Sequence, residues 1–125
     1  PSWGYKILLC VDDSRATKRA VILSTRISKQ FSADITSVTV SKTSFFGKGY
    51  RNAHIWAERY LKRKKITFES RFMSGTPVDV FVKEAGENHI IIMGKAKGNE
   101  IIKFVLGSKP IHTAQRANCS VLLVN

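Results

Sequence analysis

Ile90-Ile91-Ile92-Met93-Gly94-Lys95-Ala96-Lys97-Gly98, followed one helix-length later by Gly107-Ser108, is the stretch that decides the fold. An unbroken apolar run of strand length reads as a strand buried on both faces, as in a parallel sheet, rather than as a half-exposed one. It ends in glycine and passes into a short basic glycine loop. Without a Cβ, glycine lets backbone N–H groups face a ligand closely, so the loop and the later Gly-Ser turn are suited to an anion of phosphate size.

Working outward, residues 6–11 form a second continuous apolar strand. Asp12, Asp13 and Ser14 then stand where they can cap a helix, in which Ala16, Ala20, Leu23, Ile27 and Phe31 fall at helical spacing. Residues 34–41 read as the next strand. The loop 41–49 carries two glycines and Phe45-Phe46, which suit covering a base, meeting a partner or packing on their own domain. Residues 50–65 read as a helix with Ala53, Ala57, Tyr60 and Leu61 on one face and Trp56 beside it. Residues 66–73 alternate, Ile66, Phe68 and Phe72 against Thr67, Glu69 and Arg71, which marks an edge strand. Gly75-Thr76-Pro77 turns into a third helix with Thr76 as N-cap and Pro77 at its first position. Its buried stripe is Val78, Phe81, Val82 and Ala85, and Gly86 or Asn88 ends it. After the strand 89–93 and the glycine loop come a short helix, a helix near 110–117 and a last apolar strand at 120–124.

Strands alternating with helices predict a three-layer α/β/α domain, 1–125, around a doubly wound, five-stranded parallel sheet. In such sheets ligands sit outside the strand C-terminal ends where the strand order reverses. Asp12 and Gly94 are therefore expected to line one cleft.

Composition narrows the function classes. The chain has 125 residues, 43% hydrophobic and 24% charged, with no apolar run near the ~20 residues of a membrane span. The first apolar run is too short for a signal peptide and leads into two aspartates. Cys10 and Cys119 sit in apolar runs as reduced thiols, which fits a cytoplasmic protein. The isolated His54, His89 and His112 argue against a zinc site. The net charge of +12 favours anions: nucleotides, nucleic acid or an acidic membrane face. Lys62-Arg63-Lys64-Lys65 also falls at a helix C-terminus, where cations favour the helix dipole. No Ser-His-Asp spacing, P-loop or clustered acid–base pair is visible, so a binding protein is expected rather than an enzyme.

The opening residues 7–15 resemble a response-regulator receiver, but no aspartate lies where the phosphoacceptor of that family belongs. Far more of the chain, Tyr5 through Val124, resembles the universal stress protein family. The resemblance rests on Asp12 after the first strand, Gly75-Thr76-Pro77, Met93-Gly94, Gly107-Ser108 and Cys119-Ser120-Val121, in order and on the expected elements. It implies an adenine-nucleotide alpha-hydrolase-like fold. It also implies that ATP, with or without Mg²⁺, is held by Asp12, Val40, Met93 and Gly94 at adenine and ribose. Phosphates would lie along Lys97 and Gly98 and the turn at Gly107, Ser108 and Lys109, where a helix N-terminus meets anions. Slow ATP hydrolysis occurs in relatives of that family. Three positions depart from its pattern: Lys97 replaces the second glycine, Pro110 a hydroxyl residue, and Asp13 a small one.

The expected protein is a small regulatory stress-response domain that changes its contacts with a protein partner on binding nucleotide. It would be a homodimer through the C-terminal strand, as in relatives. The alternatives are a nucleotide-free interaction module, such as a soluble domain of a membrane transporter facing an anionic leaflet, and a nucleic-acid binder. The last is disfavoured because the aromatics read as core-facing and no RNA or DNA motif is present.

Overall fold

The computed structural model describes residues 4–41, 47–94 and 119–124. Within them run β1 (Lys6–Val11), α1 (Ala16–Phe31), β2 (Ile35–Ser41), α2 (Lys48–Arg63), β3 (Phe68–Ser74), α3 (Pro77–Glu84), β4 (His89–Gly94) and β5 (Ser120–Val124). The five strands form one all-parallel sheet in the order β3-β2-β1-β4-β5. The order reverses between β1 and β4, so the expected switch point is present. The expected glycine loop after β4 and the helix near 110–117 lie outside the described residues.

Alternation along the strands builds two cores. Ile7, Leu9 and Val11 of β1 face α1 and α2, where they meet Ala20, Val21, Ala57, Leu61 and Ile92. Leu8 and Cys10 face α3, with Val38, Val40, Phe81, Ile91 and Met93. The apolar runs of β1 and β4 are continuous because both faces of these strands are covered. β3 lies at the sheet edge as its alternation predicts, with Glu69 and Arg71 exposed, but Phe72, expected on the inner side with Ile66 and Phe68, is itself 44% exposed.

Several local expectations are corrected. Of the expected α1 stripe Ala16, Ala20, Leu23, Ile27, Phe31, only Ala16 and Ala20 are buried. The buried face of α1 is Ala16, Thr17, Ala20, Val21, Ser24, Thr25 and Ser28, while Leu23 and Ile27 are half-buried and Phe31 is exposed. The helix lies too close to the sheet for large side chains, so small residues take the inner positions. Ser28 and Thr25 satisfy their hydroxyls on backbone carbonyls, of Ala33 and Val21. No side chain caps α1; its N-cap is Arg15. Thr76 is the N-cap of α3 with Pro77 behind it, but its hydroxyl makes no cap bond, and α3 ends at Glu84 with Ala85 as its C-cap, ahead of Gly86. Gly75 takes φ +139°, and its N–H donates to the Ser41 carbonyl (2.8 Å).

His54 is buried on α2 between β2 and β3. Its Nδ1 is 2.9 Å from Thr39 Oγ1, and its Nε2 is 3.1 Å from Ser70 Oγ and 3.3 Å from Glu58 Oε1. Phe72 stacks on the ring at 3.8 Å between centroids. A carboxylate only accepts, so the proton belongs on Nε2, and Nδ1 accepts from Thr39.

Two predictions follow from this packing. Ser24 Oγ and Ser37 Oγ are buried without a partner, which costs stability; Ser24→Ala should therefore stabilise the protein by about 1 kcal/mol in urea unfolding. Burial, partly offset by Glu58, holds the His54 imidazole below its ordinary pKa, and burial with Lys6 does the same for His89. The unfolded chain then binds more protons near and below pH 6.5. Stability is fully present above that pH and is lost as pH falls toward the folded-state values. Urea midpoints should drop between about pH 7.5 and 5.5, and less so in His54→Gln.

Candidate functional site

The site is built where the first turn of α1 meets the end of β4. A Cβ on Gly94 would lie 2.6 Å from Ala16 Cβ and 2.7 Å from the Ala16 carbonyl carbon. Glycine is required there for close approach, and the approach brings the β1–α1 turn beside the end of β4.

Asp12 closes that turn. Its Oδ1 accepts from the Ser14 N–H (2.9 Å) and from Thr17 Oγ1 (2.6 Å), while the Asp12 N–H donates back to Thr17 Oγ1 (3.1 Å). The Asx turn fixes the carboxylate before the helix begins, which is why Asp12 is not an N-cap. Both bonds fall on Oδ1, so Oδ2 keeps its capacity to accept from a ligand.

Asp13 has a different role. A Cβ on Gly49 would be 3.0 Å from Asp13 Cβ and 3.4 Å from its Oδ2. The Asp13 side chain thus stands against the first turn of α2, which has neither a side-chain cap bond nor an acidic residue of its own. Carboxylates are favourable at helix N-termini. Burial and then the Asp13 and Asp12 carboxylates push the Tyr50 phenol above its ordinary pKa, and burial followed by Asp12 raises the Cys10 thiol.

Between these turns lies an open cleft of about 280 Å³, walled by Asp12, Ser14 and Thr17 on one side and Gly49, Asn52 and Trp56 on the other. Sequence reasoning placed Asp12 here together with Gly94, which instead packs against Ala16 and does not wall this cleft, and it missed Asn52 and Trp56. Their membership depends on how α2 packs against α1, and no local pattern reveals it. Val40 (6% exposed) and Met93 (0%) lie in the core under α3 rather than in this cleft. Lys97, Gly98, Gly107, Ser108 and Lys109 lie outside the described residues. Among the described residues no three His, Cys, Asp or Glu side chains gather to hold a metal, and no helix is long and apolar enough to cross a membrane.

No family model and no curated protein matches the sequence. Solved structures do match in fold. A universal stress protein in complex with cAMP is 24% identical with a TM-score of 0.68, covering 98% of each chain. A universal stress protein from Archaeoglobus fulgidus is 15% identical with a TM-score of 0.72, covering 97% of this chain and 98% of its own. The Archaeoglobus fulgidus protein in complex with dAMP is 16% identical with a TM-score of 0.65, at the same coverage. The chain therefore has the UspA-like fold: a three-layer α/β domain on a five-stranded parallel sheet.

The packing at Gly94 yields a direct test. Gly94→Ala must push Ala16 and the start of α1 off the sheet, with an expected loss of about 1–3 kcal/mol in urea unfolding. An unchanged midpoint would mean that α1 is not seated as described.

Proposed function

We propose that this chain is a regulatory domain that binds an adenine nucleotide across the C-terminal ends of β1 and β4. The observation that carries this reading is the Gly94–Ala16 approach, which sets the Asp12 turn against the end of β4 at the switch point. The cAMP and dAMP complexes of proteins with this fold support it. In this reading Asp12 Oδ2 takes a polar group of the nucleoside. Val40 and Met93 stay in the core under α3 and back the strand ends, and Gly94 acts by letting Ala16 and the Asp12 turn seat against β4. The phosphates run toward Lys97, Gly98, Gly107, Ser108 and Lys109. ATP, with or without Mg²⁺, is the nucleotide we assign, and the role is binding rather than catalysis. β5 is the second edge of the sheet, with Leu122 38% exposed. This supports pairing of that strand across a two-fold axis in a homodimer.

A nucleotide-free interaction module is the second reading. It is favoured by one observation: Asp12 Oδ1 is already fully engaged within its own turn.

Thermal unfolding with ATP, cAMP, AMP, GTP and tripolyphosphate, with and without Mg²⁺, separates the two. Ligand at 100-fold above Kd should add about 2.7 kcal/mol. An adenine-selective shift that disappears in Asp12→Ala, measured from that variant's own baseline, is expected. An equal response to tripolyphosphate would reduce the effect to general anion binding, and no shift at all would leave the interaction module.

A further inference from the structure

Among the described residues, positive charge is concentrated on one side of the sheet. Residues 15–31 and 48–65, which contain α1 and α2, hold twelve Lys and Arg against a single acid, Glu58, with Asp12, Asp13 and Asp34 in the turns at the ends of α1. All twelve cations are exposed. Both helices cover the same face of the sheet, through the core around Ile7, Leu9, Ala57 and Leu61. Residues 69–87, containing most of the edge strand β3 together with α3, carry Arg71 and Lys83 against Glu69, Asp79, Glu84 and Glu87. A merely soluble basic protein has no need of this separation.

The cations on that layer are also held in place. Trp56 and Tyr60 stack on α2 with centroids 5.2 Å apart and planes 20° from parallel. Lys18, reaching over from α1, lies 5.2 Å from the Trp56 ring centre. Arg63 and Lys64 lie 5.3 and 5.7 Å from that of Tyr60. Cation–π attraction at such distances restrains long side chains that would otherwise sweep through solvent. The aromatic pair thus props a row of positive charge running across two helices.

From this we infer that the α1–α2 face binds the phosphate backbone of duplex nucleic acid without reading its sequence. The rings are engaged with each other and with cations, so the face offers ordered charge rather than free stacking platforms for bases. α2, sixteen residues long, spans about 24 Å, or roughly seven base pairs of duplex. A bilayer is the weaker match. Its headgroups are fluid and need no fixed array, and the exposed large apolar side chains of this layer, Phe31 and Ile55, stand on different helices and make no strip for insertion.

The test is fluorescence anisotropy with two labelled DNA duplexes of unrelated sequence, titrated from about 50 to 200 mM salt. Equal affinity for both is expected, with log K falling against log salt at a slope of about −4 or steeper, the mark of some five phosphate contacts. Arg59→Glu combined with Arg63→Glu should weaken binding at least tenfold and flatten the slope by about two. Lys83→Glu on the α3 side should change neither. These side chains are exposed, and an unchanged melting curve shows that each variant is folded; the wild-type slope needs no variant. The inference fails if the duplexes are not bound at the lowest salt. It fails if one sequence is strongly preferred, or if Lys83→Glu weakens binding as much as the double variant. It also fails if phosphatidylserine vesicles are bound while duplexes are not, which would assign the face to a membrane surface.

Discussion

The structure depends on how closely the first turn of α1 can approach the end of β4. With hydrogen alone at position 94 and a methyl group at 16, helix and strand come within a distance that no side chain at Gly94 would permit. That seat sets the depth of the whole helix. A helix seated so low has room on its inner side only for small residues, and α1 supplies Ala16, Ala20, Thr17, Ser24, Thr25 and Ser28. It also sets the position of the β1–α1 turn, and with it the Asp12 carboxylate, at the reversal of strand order. Fold and candidate site rest on one steric constraint.

The strands were legible because parallel strands covered on both faces must be apolar throughout, as β1 and β4 are. The edge position of β3 was legible from its alternation for the complementary reason. The inner face of α1 was not. Periodicity registers Leu23, Ile27 and Phe31 because they are large and apolar. A helix held tight to a sheet instead selects on size, and hydroxyls of Ser and Thr are tolerated there when a carbonyl is within reach. His54 was invisible for a related reason. Read alone it is an isolated histidine, and its partners Thr39 and Ser70 come from strands far away in sequence. Only the assembled sheet turns three unremarkable polar residues into one buried network.

The candidate site divides the same way. Asp12 follows from the rule that ligands gather beyond strand C-termini, which needs only strand order and element ends; Gly94, expected beside it, instead packs against Ala16 and does not wall the cleft. Asn52 and Trp56 enter the cleft through the packing of α2 on α1, where Gly49 also lies close to Asp13. Neither glycine announces in sequence which neighbour it must admit.

The electrostatics of this corner explain why Asp13 is tolerated beside the cleft. α1 and α2 both begin at the C-terminal edge of the sheet, and neither holds an acidic residue in its first turn. Lys18 and Arg19 stand in the one, Lys48 and Arg51 in the other. Cations beside the positive end of a helix dipole are unfavourable, and here two such ends with four cations converge. Asp12 and Asp13 are the acidic residues of the intervening turn. One is bonded to the Ser14 N–H just ahead of α1, and the other lies against the opening turn of α2. Their charges offset the crowding of positive potential that the fold itself creates. A small neutral residue at position 13 would leave α2 with an uncompensated N-terminus. The second aspartate therefore serves the helix that forms the far wall of the cleft, and the corner keeps an excess of positive charge.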